Sequence, residues 1–303
     1  MLKYAVKRIL LAVITVLIIA AITFFVMNAI PGGPFASEKA IDEATMASLE
    51  KRYGLDKPLP EQFFVYINNL LHGDFGVSLK TGREISDVIN ESFGISAKVG
   101  ILAAITAIVV GLVLGSIAAL CRGKWPDRVI IFITTLFVSV PSFILATILM
   151  LVFCLTLKWV GVWSVNNQNY VLPIISLSMS PMAYITRLTK SSMLDVLGQD
   201  YIRTARAKGV RDSLVIFKHA LRNALIPVIT YVGPMTAGIL TDSMVVETVF
   251  TIGGLGTQFV KSINNQDYPM IMATTIFLAV LMVIATLLSD LVYKLVDPRI
   301  KQD

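Results

Sequence analysis

Long apolar runs separated by short polar segments dominate the pattern of this chain. Because a bilayer crossing takes about 20 apolar residues, six of these runs are candidate transmembrane helices. They are Ile9 to Ile30, Val99 to Leu120, a segment within Val129 to Leu157, Val171 to about Ile185, Ala224 to Val246, and Ile271 to Tyr293. The pattern therefore predicts an all-α integral membrane protein with six transmembrane helices.

Two of the six runs contain prolines that affect their predicted ends. The third run includes Val140-Pro141-Ser142, so its first part is predicted to be a tilted or interfacial lead-in. The fourth run contains Pro173 and Pro181, and it must extend beyond Ile185 to cross a bilayer completely.

The first run follows three basic residues, as a secretory signal does. It is 22 residues long and leads into Pro31-Gly32-Gly33-Pro34. The apolar region of a signal peptide has only about 7–15 residues and ends at a small-residue cleavage site. The first run is therefore predicted to be a retained transmembrane helix.

Composition supports a membrane protein and excludes several other classes. Of the 303 residues, 55% are hydrophobic and only 15% are charged, against about 25% charged residues in soluble domains. This excludes a disordered chain and a secreted disulfide framework. Cys154 lies inside an apolar run and Cys121 at the edge of another, so both are predicted to be packing residues.

The distribution of charge predicts the orientation of the chain. Segments 1–8, 121–128, 187–222 and 294–303 hold 17 Lys and Arg against 6 Asp and Glu, whereas segments 31–97, 158–170 and 247–270 hold 8 against 12. Cytoplasmic loops carry the excess of Lys and Arg, so both termini are predicted to be cytoplasmic. The net charge of +6 is explained by this topology and does not indicate nucleic-acid binding.

The external segment 31–97 is too long to be a simple connection. It has helix-like stretches near Glu43 to Tyr53 and Pro60 to Leu71, and the second clusters aromatic and aliphatic residues at helical spacing. A small amphipathic cap on the outer surface fits this pattern. Two interpretations remain open, namely a docking platform for an external partner and a lid that packs over the transmembrane helices.

The cytoplasmic loop 187–222 contains a short predicted helix. Asp200 is a candidate N-cap and Gly209 a candidate C-cap. They bracket Tyr201-Ile202-Arg203-Thr204-Ala205-Arg206-Ala207-Lys208, about 12 Å of helix. Tyr201, Ile202 and Ala205 can form one apolar ridge, which suits docking into a partner's groove. Composition alone favours the other interpretation, a basic helix that rests on anionic lipid.

The chain lacks the motifs of common membrane enzymes. No G-x-x-x-x-G-K-[ST] motif occurs, because the Gly123-Lys124 pair is followed by Trp125, so the chain is predicted to have no ATPase activity of its own. His72 and His219 have no partners at metal-ligand spacing. We therefore expect no metal site, no catalytic residues and no cofactor bound by this chain.

The fifth run carries the candidate residues of a translocation pathway. Asp242 lies towards its outer end, where it either lines a pathway or is a solvated interfacial carboxylate. Pro227 and Pro234 free backbone carbonyls and bend the helix, which is tolerated where neighbours or a cavity satisfy the backbone. Glu247 follows at the end of this run and completes the set.

Several segments resemble the membrane-spanning subunits of peptide-importing ABC transporters, specifically the OppB-type permease of the binding-protein-dependent transport permease family. The resemblance covers nearly the whole chain. It is carried by the loop from Ser191 through Asp200 and Gly209 to Pro227, and by five shorter segments. These are Arg8 to Pro34, Leu71-His72-Gly73-Asp74-Phe75-Gly76-Val77-Ser78, Val140-Pro141-Ser142-Phe143, Val246-Glu247-Thr248-Val249-Phe250, and Asp297-Pro298-Arg299.

The resemblance implies an ABC importer type I permease fold and a role for the short helix. That helix, Tyr201 to Gly209, is implied to be the coupling helix that fits a cleft on a cytoplasmic ATPase. The wider importer family has Glu-Ala-Ala where this chain has Arg203-Thr204-Ala205, so the acidic residue of that pattern is absent here.

The resemblance also implies a set of partners. They are a second, OppC-like permease subunit, two OppD/OppF-like ATPases that bind ATP and Mg, an extracytoplasmic OppA-like peptide-binding protein, the peptide substrate and membrane lipid. The implied function is ATP-driven oligopeptide import across the bacterial cell membrane. Dipeptide, nickel-chelate or other small-solute cargo stays open, and an ATPase-independent channel or carrier is a further alternative.

The predicted organisation of the chain has three parts. Residues 1–30 form the cytoplasmic N-terminus and first transmembrane helix, residues 31–97 the external helical loop, and residues 98–303 a permease core of five transmembrane helices. The coupling loop, residues 187–222, lies within that core.

Overall fold

The computed structural model describes residues 2–29 and 57–296. Within these ranges every regular element is helical, apart from two isolated antiparallel bridges, Val77 with Glu84 and Ser164 with Asn167. The helices are α1 (Leu2–Ala29), α2 (Leu59–Leu71), α3 (Ile85–Leu120), α4 (Trp125–Ser139), α5 (Ser142–Thr156), α6 (Val171–Leu197), α7 (Asp200–Ala207), α8 (Asp212–Val249), α9 (Leu255–Asn264) and α10 (Tyr268–Val296).

Five of these helices are long and apolar enough to cross a membrane, namely α1, α3, α6, α8 and α10. Helices α4 and α5 together form a sixth apolar segment that bends by 104° at its break. The all-helical prediction is confirmed, with five or six apolar spans. The helix predicted near Glu43 to Tyr53 lies outside the described residues.

The break between α4 and α5 follows from local chain chemistry. Val140 is extended, with φ −101° and ψ 125°, and Pro141 precedes the first residue of α5. A residue before proline is driven out of the helical region by the proline ring. The tilted lead-in predicted for the third run is therefore a separate helix.

Several helices are longer than the apolar runs predicted. Helix α3 begins at Ile85, not Val99, and its 36 residues correspond to about 54 Å. Helix α6 continues beyond Ile185 to Leu197, as a complete bilayer crossing requires, and Pro181 lies inside it without ending it.

The described chain divides into two compact units, each with its own packing. The first comprises residues up to Ile95 and Gly253–Val283, and the second comprises Ser96–Ile252 and the residues from Ile284. In the first unit, α2 packs an aromatic face on α1, with the Phe24 ring 5.4 Å from Phe63 and 5.9 Å from Tyr66. Burial raises the pKa of the Tyr66 phenol, which therefore stays neutral.

The opposite face of α2 is open, so the lid interpretation accounts for only one side of this helix. Phe64 is 70% exposed and Leu71 is 79% exposed. A hydrogen bond within the first unit holds the turn after α2, where the Ser78 hydroxyl donates to the buried Asp267 carboxylate at 2.5 Å.

In the second unit, α6 is the most enclosed of the spans. In the most apolar 18-residue stretch of α6, 56% is buried, against 28% or less in the corresponding stretches of the other four spans. Helix α3 approaches α6 closely at Gly111 and Gly115, where an added Cβ would lie within 3.0 Å of Met182 or Thr186 backbone oxygens. Small residues of this kind allow transmembrane helices to pack at short distance.

Candidate functional site

The short helix predicted within loop 187–222 exists as α7, displaced by one residue. It begins at Asp200 and ends at Ala207, with the extended Gln199 before it. Asp200 is therefore the first helical residue and not the N-cap, and Lys208 follows the helix. An acidic residue in the first turn still complements the helix dipole.

Gly209 ends α7 as the sequence predicts. Its φ is +75°, in the left-handed region where glycine is favoured. The Gly209 amide donates to the Arg206 carbonyl at 2.9 Å, and the Val210 amide donates to the Ala205 carbonyl at 3.2 Å. These bonds satisfy two of the last carbonyls of the helix.

The apolar ridge of α7 faces the chain's own interior at two of its three residues, Ile202 and Ala205, whereas Tyr201 is 43% exposed. Ile202 is fully buried, and Ala205 packs against the same cluster. The buried members of this cluster come from α3, α6, α7 and α8; they are Ala119, Met193, Ile202, Val215, Ala220 and Ala224. An isolated period-3.6 pattern cannot say whether an apolar ridge faces a partner or the same chain.

The face of α7 that is available to a partner is polar and basic. Arg203, Thr204, Arg206 and Lys208 are exposed. Arg203 lies 3.5 Å from Asp200, and Arg206 lies 3.4 Å from Asp212. Exposed ion pairs of this type contribute little to stability, so their charges remain usable by a partner.

A polar contact also ties α7 to the start of α8. The Asn223 side-chain amide donates to the Tyr201 hydroxyl at 2.9 Å and to the His219 carbonyl at 3.1 Å. Residues Val215–Leu221, at the base of α8, form a π-helical segment, a geometry common at functional sites. The hydrogen bond to Tyr201 thus joins α7 to the base of α8.

The structure places the candidate pathway residues of α8 on different surfaces. Asp242 and Pro234 are exposed and Pro227 is half-buried. Glu247, by contrast, is fully buried, so it does not share a surface with the exposed Asp242 and Pro234. Helix α8 continues through both prolines.

The prolines change the hydrogen bonding of α8 in the way the sequence predicts. Pro227 and Pro234 have no N–H to donate to the carbonyls of Asn223 and Thr230. Threonine hydroxyls bond back in the adjoining turns, with Thr230 donating to the Pro227 carbonyl and Thr236 to the Gly233 carbonyl, both at 2.7 Å.

Two further features of the second unit were missed by sequence reasoning. Lys190 of α6 donates to the Asp127 carboxylate, which also accepts the Gly123 amide at 2.9 Å. Tyr184 of α6 and Tyr231 of α8 stack with ring centroids 4.2 Å apart. The ion pair could have been suspected from sequence, because Asp127 and Lys190 carry opposite charges near the ends of two apolar runs. No sequence pattern indicates that Tyr184 and Tyr231 are in contact.

No group of three or more His, Cys, Asp or Glu residues is arranged to hold a metal ion in residues 2–29 and 57–296. The described loop and helices offer a polar helix face on α7, a buried apolar anchor at Ile202 and proline-containing spans.

Comparison with protein families gives two matches that together cover most of the chain. The description "Binding-protein-dependent transport system inner membrane component" matches residues 111–302. The corresponding N-terminal description, for the membrane component of binding-protein-dependent transport systems, matches residues 1–99.

Curated relatives match over nearly their full lengths. The dipeptide transport system permease protein DppB of Bacillus subtilis (strain 168) is 45% identical, with 99% of this chain and 98% of that protein covered. The oligopeptide transport system permease protein OppB of Haemophilus influenzae is 41% identical, with 99% and 100% covered. OppB of Escherichia coli (strain K12) is 38% identical over the same shares.

Among solved structures, the crystal structure of an amino acid ABC transporter with histidines is similar in fold. The match has a TM-score of 0.54 and covers 69% of this chain and 94% of the other. At 13% sequence identity, the similarity shows the fold alone.

Proposed function

Because the chain belongs to the family of binding-protein-dependent transport system inner membrane components, we propose that it is the OppB-type permease subunit of an ATP-driven peptide importer. The observation that carries this proposal is the identity of 38–45% to peptide permeases across 99% of the chain. The chain is a multi-pass protein of the bacterial inner membrane, where its apolar helices cross the bilayer.

The proposed topology has six transmembrane helices and both termini in the cytoplasm. It counts the bent pair α4 and α5 as one span, which gives an even number of crossings. The excess of Lys and Arg in segments 1–8, 121–128, 187–222 and 294–303 supports this orientation.

We assign α7 and Gly209 to ATPase coupling. The exposed basic face of α7 would lie in a cleft of a cytoplasmic ATPase, while buried Ile202 and the Tyr201–Asn223 hydrogen bond join the helix to α6 and α8. Closure of the ATPases would then move the inner ends of two spans together.

The proposed complex contains an OppC-like second permease, two OppD/OppF-like ATPases and an OppA-like external binding protein. ATP and Mg would bind the ATPases, and this chain would be a non-catalytic subunit with no cofactor. ATP must bind the closed arrangement more tightly than the open one to shift the population of states. The peptide would pass along a pathway for which Asp242, Pro227 and Pro234 are candidates; buried Glu247 would support that helix.

Dipeptide import is the second candidate for cargo, because the DppB relative is a dipeptide permease by name. Nickel-chelate or other small-solute import stays a less supported alternative. Transport that survives removal of ATP but is lost in Asp242→Asn would instead indicate an ATPase-independent carrier.

The first experiment is to purify the tagged chain from its native membrane in mild detergent and identify copurifying proteins by mass spectrometry. A second permease and two ATPases are expected. Gly209→Asp should lose the ATPases and abolish uptake while the second permease remains, because it places a charged side chain at the end of the docking helix. Ala205→Arg should also lose the ATPases and abolish uptake. Ala205 packs against the buried cluster beneath α7, so an arginine there would displace the helix.

Gly73→Asp is the matched control for Gly209→Asp, because each glycine directly follows the C-cap residue of a helix. Gly73 has φ +79°, nearly the same as the +75° of Gly209, and in both cases an added Cβ meets nothing within 4 Å. The backbone strain is thus equal, and the control should keep its ATPases. A chain that purifies alone and still transports in liposomes without ATP would overturn the proposed function.

A further inference from the structure

Helix α6 has an exposed lane that is polar, although the helix is otherwise the most enclosed span. Ser180, Tyr184, Arg187 and Ser191 follow each other at helical spacing and are half-buried or exposed. Polar and charged groups are costly against lipid tails. Ser180 and Tyr184, which lie within the span, therefore face protein or an aqueous path, and Arg187 and Ser191 continue the lane at its cytoplasmic end.

An aromatic pair lies in this lane. Tyr184 is 48% exposed and stacks on Tyr231 of α8, with an interplanar angle of 29°. Tyr231 lies between Pro227 and Pro234, next to Thr230, whose carbonyl Pro234 leaves without its helical donor. The surface thus combines flat aromatic faces with backbone that can accept hydrogen bonds.

In the proposed orientation, Tyr184 and Tyr231 lie within the hydrocarbon core of the bilayer. Tyr184 is about 20 Å along α6 from its outer end, and Tyr231 is about 10 Å from the inner end of the Ala224 to Val246 run. The two antiparallel helices give the same depth, in the inner half of the bilayer. Tyrosines that anchor a protein to lipid lie instead at the membrane–water interface.

Arg187, one turn from Tyr184, adds a positive charge to the lane. One terminal nitrogen donates to the Thr135 hydroxyl at 2.8 Å, whereas the buried Nε has no acceptor among the described residues. A guanidinium group binds carboxylates and carbonyl oxygens through several donors at once.

We propose that Tyr184 and Tyr231 form a contact site for the passing peptide in the inner half of the pathway, with Arg187 binding its C-terminal carboxylate. Planar peptide groups stack on the tyrosine rings, and the guanidinium selects the carboxylate end. This inference rests on the proposed function of the chain as a peptide importer subunit.

Photocrosslinking in the assembled transporter tests the occupant of this site. The photoreactive residue p-benzoylphenylalanine replaces Tyr184, and a radiolabelled alanine tripeptide is supplied with the binding protein and ATP. Label is expected on this chain. Val109, 55% exposed midway along α3 beside exposed Ile105 and Val113, is the control position and should take up no label.

The possible outcomes separate the site from the function. Crosslinks from position 184 only to the second permease or to lipid, in a complex that imports the tripeptide, would overturn the site and leave the function intact. Failure of the unaltered complex to import either an alanine dipeptide or the tripeptide would overturn both.

Substitutions test the chemistry of the site. Tyr184→Ala should raise the KM for tripeptide uptake about threefold to tenfold, the range for loss of an aromatic contact. Tyr184→Phe should keep the stacking and stay near the unaltered KM. Equal KM values in the Ala and Phe variants would contradict the stacking role.

Arg187 is tested with a tripeptide whose C-terminus is amidated. The unaltered complex should import the free acid in preference to the amide. Arg187→Gln should reduce that preference, and Arg187→Lys, which keeps the charge, should retain more of it. An unchanged ratio of acid to amide uptake in Arg187→Gln would exclude a carboxylate contact there.

Discussion

At the residue scale, the side chains of Tyr201 and Ile202 fasten α7 to its unit in two different ways. Ile202 contributes buried apolar surface, whereas Tyr201 contributes a hydrogen bond at a position that is 43% exposed. Burial of an isoleucine is worth more than an exposed hydrogen bond. The position of α7 therefore depends mainly on Ile202.

Ile202→Ala should loosen α7. The cavity and the lost burial cost about 2–5 kcal/mol, so trypsin should cleave faster at Arg203 and Arg206 in the purified complex. Ile226→Ala is the control, because Ile226 is 44% exposed in the same unit and its truncation should leave the cleavage rate unchanged. Equal rates in both variants would show that Ile202 does not anchor α7.

Asp127→Asn should destabilise the protein, because it leaves the Lys190 ammonium without its carboxylate partner. The carboxylate is 9% exposed and the ammonium 21%, and loss of one partner of a buried pair costs about 3 kcal/mol. A lower midpoint of thermal unfolding in detergent is expected. The double variant Asp127→Lys with Lys190→Asp should recover part of the loss.

The exposed pair of Arg83 and Glu91 provides the comparison for that ion pair. Its atoms approach to 2.8 Å, but its side chains are 50% and 64% exposed, so Glu91→Gln should shift stability by less than about 1 kcal/mol. An Asp127→Asn protein as stable as Glu91→Gln would contradict a structural role for the buried pair.

At the element scale, glycines decide how closely α3 packs on α6. A Cβ at Gly115 would lie 2.6 Å from the Thr186 carbonyl oxygen and 2.6 Å from the Thr189 Cβ. The first of these atoms belongs to the backbone and the second is attached to it, so neither can move aside as the end of a long side chain could. A side chain at position 115 can therefore be accepted only if the two helices separate.

Gly115→Ala should lower stability and the yield of folded protein, measured by fluorescence-detected size exclusion. Gly94→Ala, in the same helix, should be neutral or stabilising by up to about 1 kcal/mol, because nothing lies within 4 Å of its added Cβ. A Gly115→Ala protein that behaves like Gly94→Ala would show that α3 and α6 are not in close contact.

The bent pair of α4 and α5 shows how one proline changes an element. The sequence pattern gave a single run from Val129 to Leu157, and the structure has two helices with a 104° bend. The loss of one backbone donor and the restriction on Val140 explain the break, but the size of the bend depends on packing against α6 and α8.

At the scale of the whole molecule, the charge distribution predicts which loops share a side of the membrane. The test requires a protein with Cys121→Ser and Cys154→Ala, because both native cysteines are free thiols that a maleimide could label. In intact cells, an impermeant maleimide should label Val165→Cys, which is 78% exposed in the segment predicted to be external, and not Lys124→Cys. Inside-out vesicles should give the reverse result, and labelling of both positions from one side would contradict the topology.

Much of the architecture could be predicted from the sequence, because its determinants are local. Apolar runs mark the spans and Gly209 marks the end of α7, since each depends on neighbouring residues or on the solvent. The segments resembling peptide permeases identified the family for the same reason: they can be compared residue by residue without a fold.

Tertiary structure alone decided the direction in which those residues point. Ile202 packs inward on Met193 and Ala224, Asp127 meets Lys190, Tyr184 stacks on Tyr231, and Glu247 is buried away from Asp242. Each pair joins different helices or different faces of one helix. Helical periodicity defines a face but not its neighbour, which is fixed only when the helices pack together.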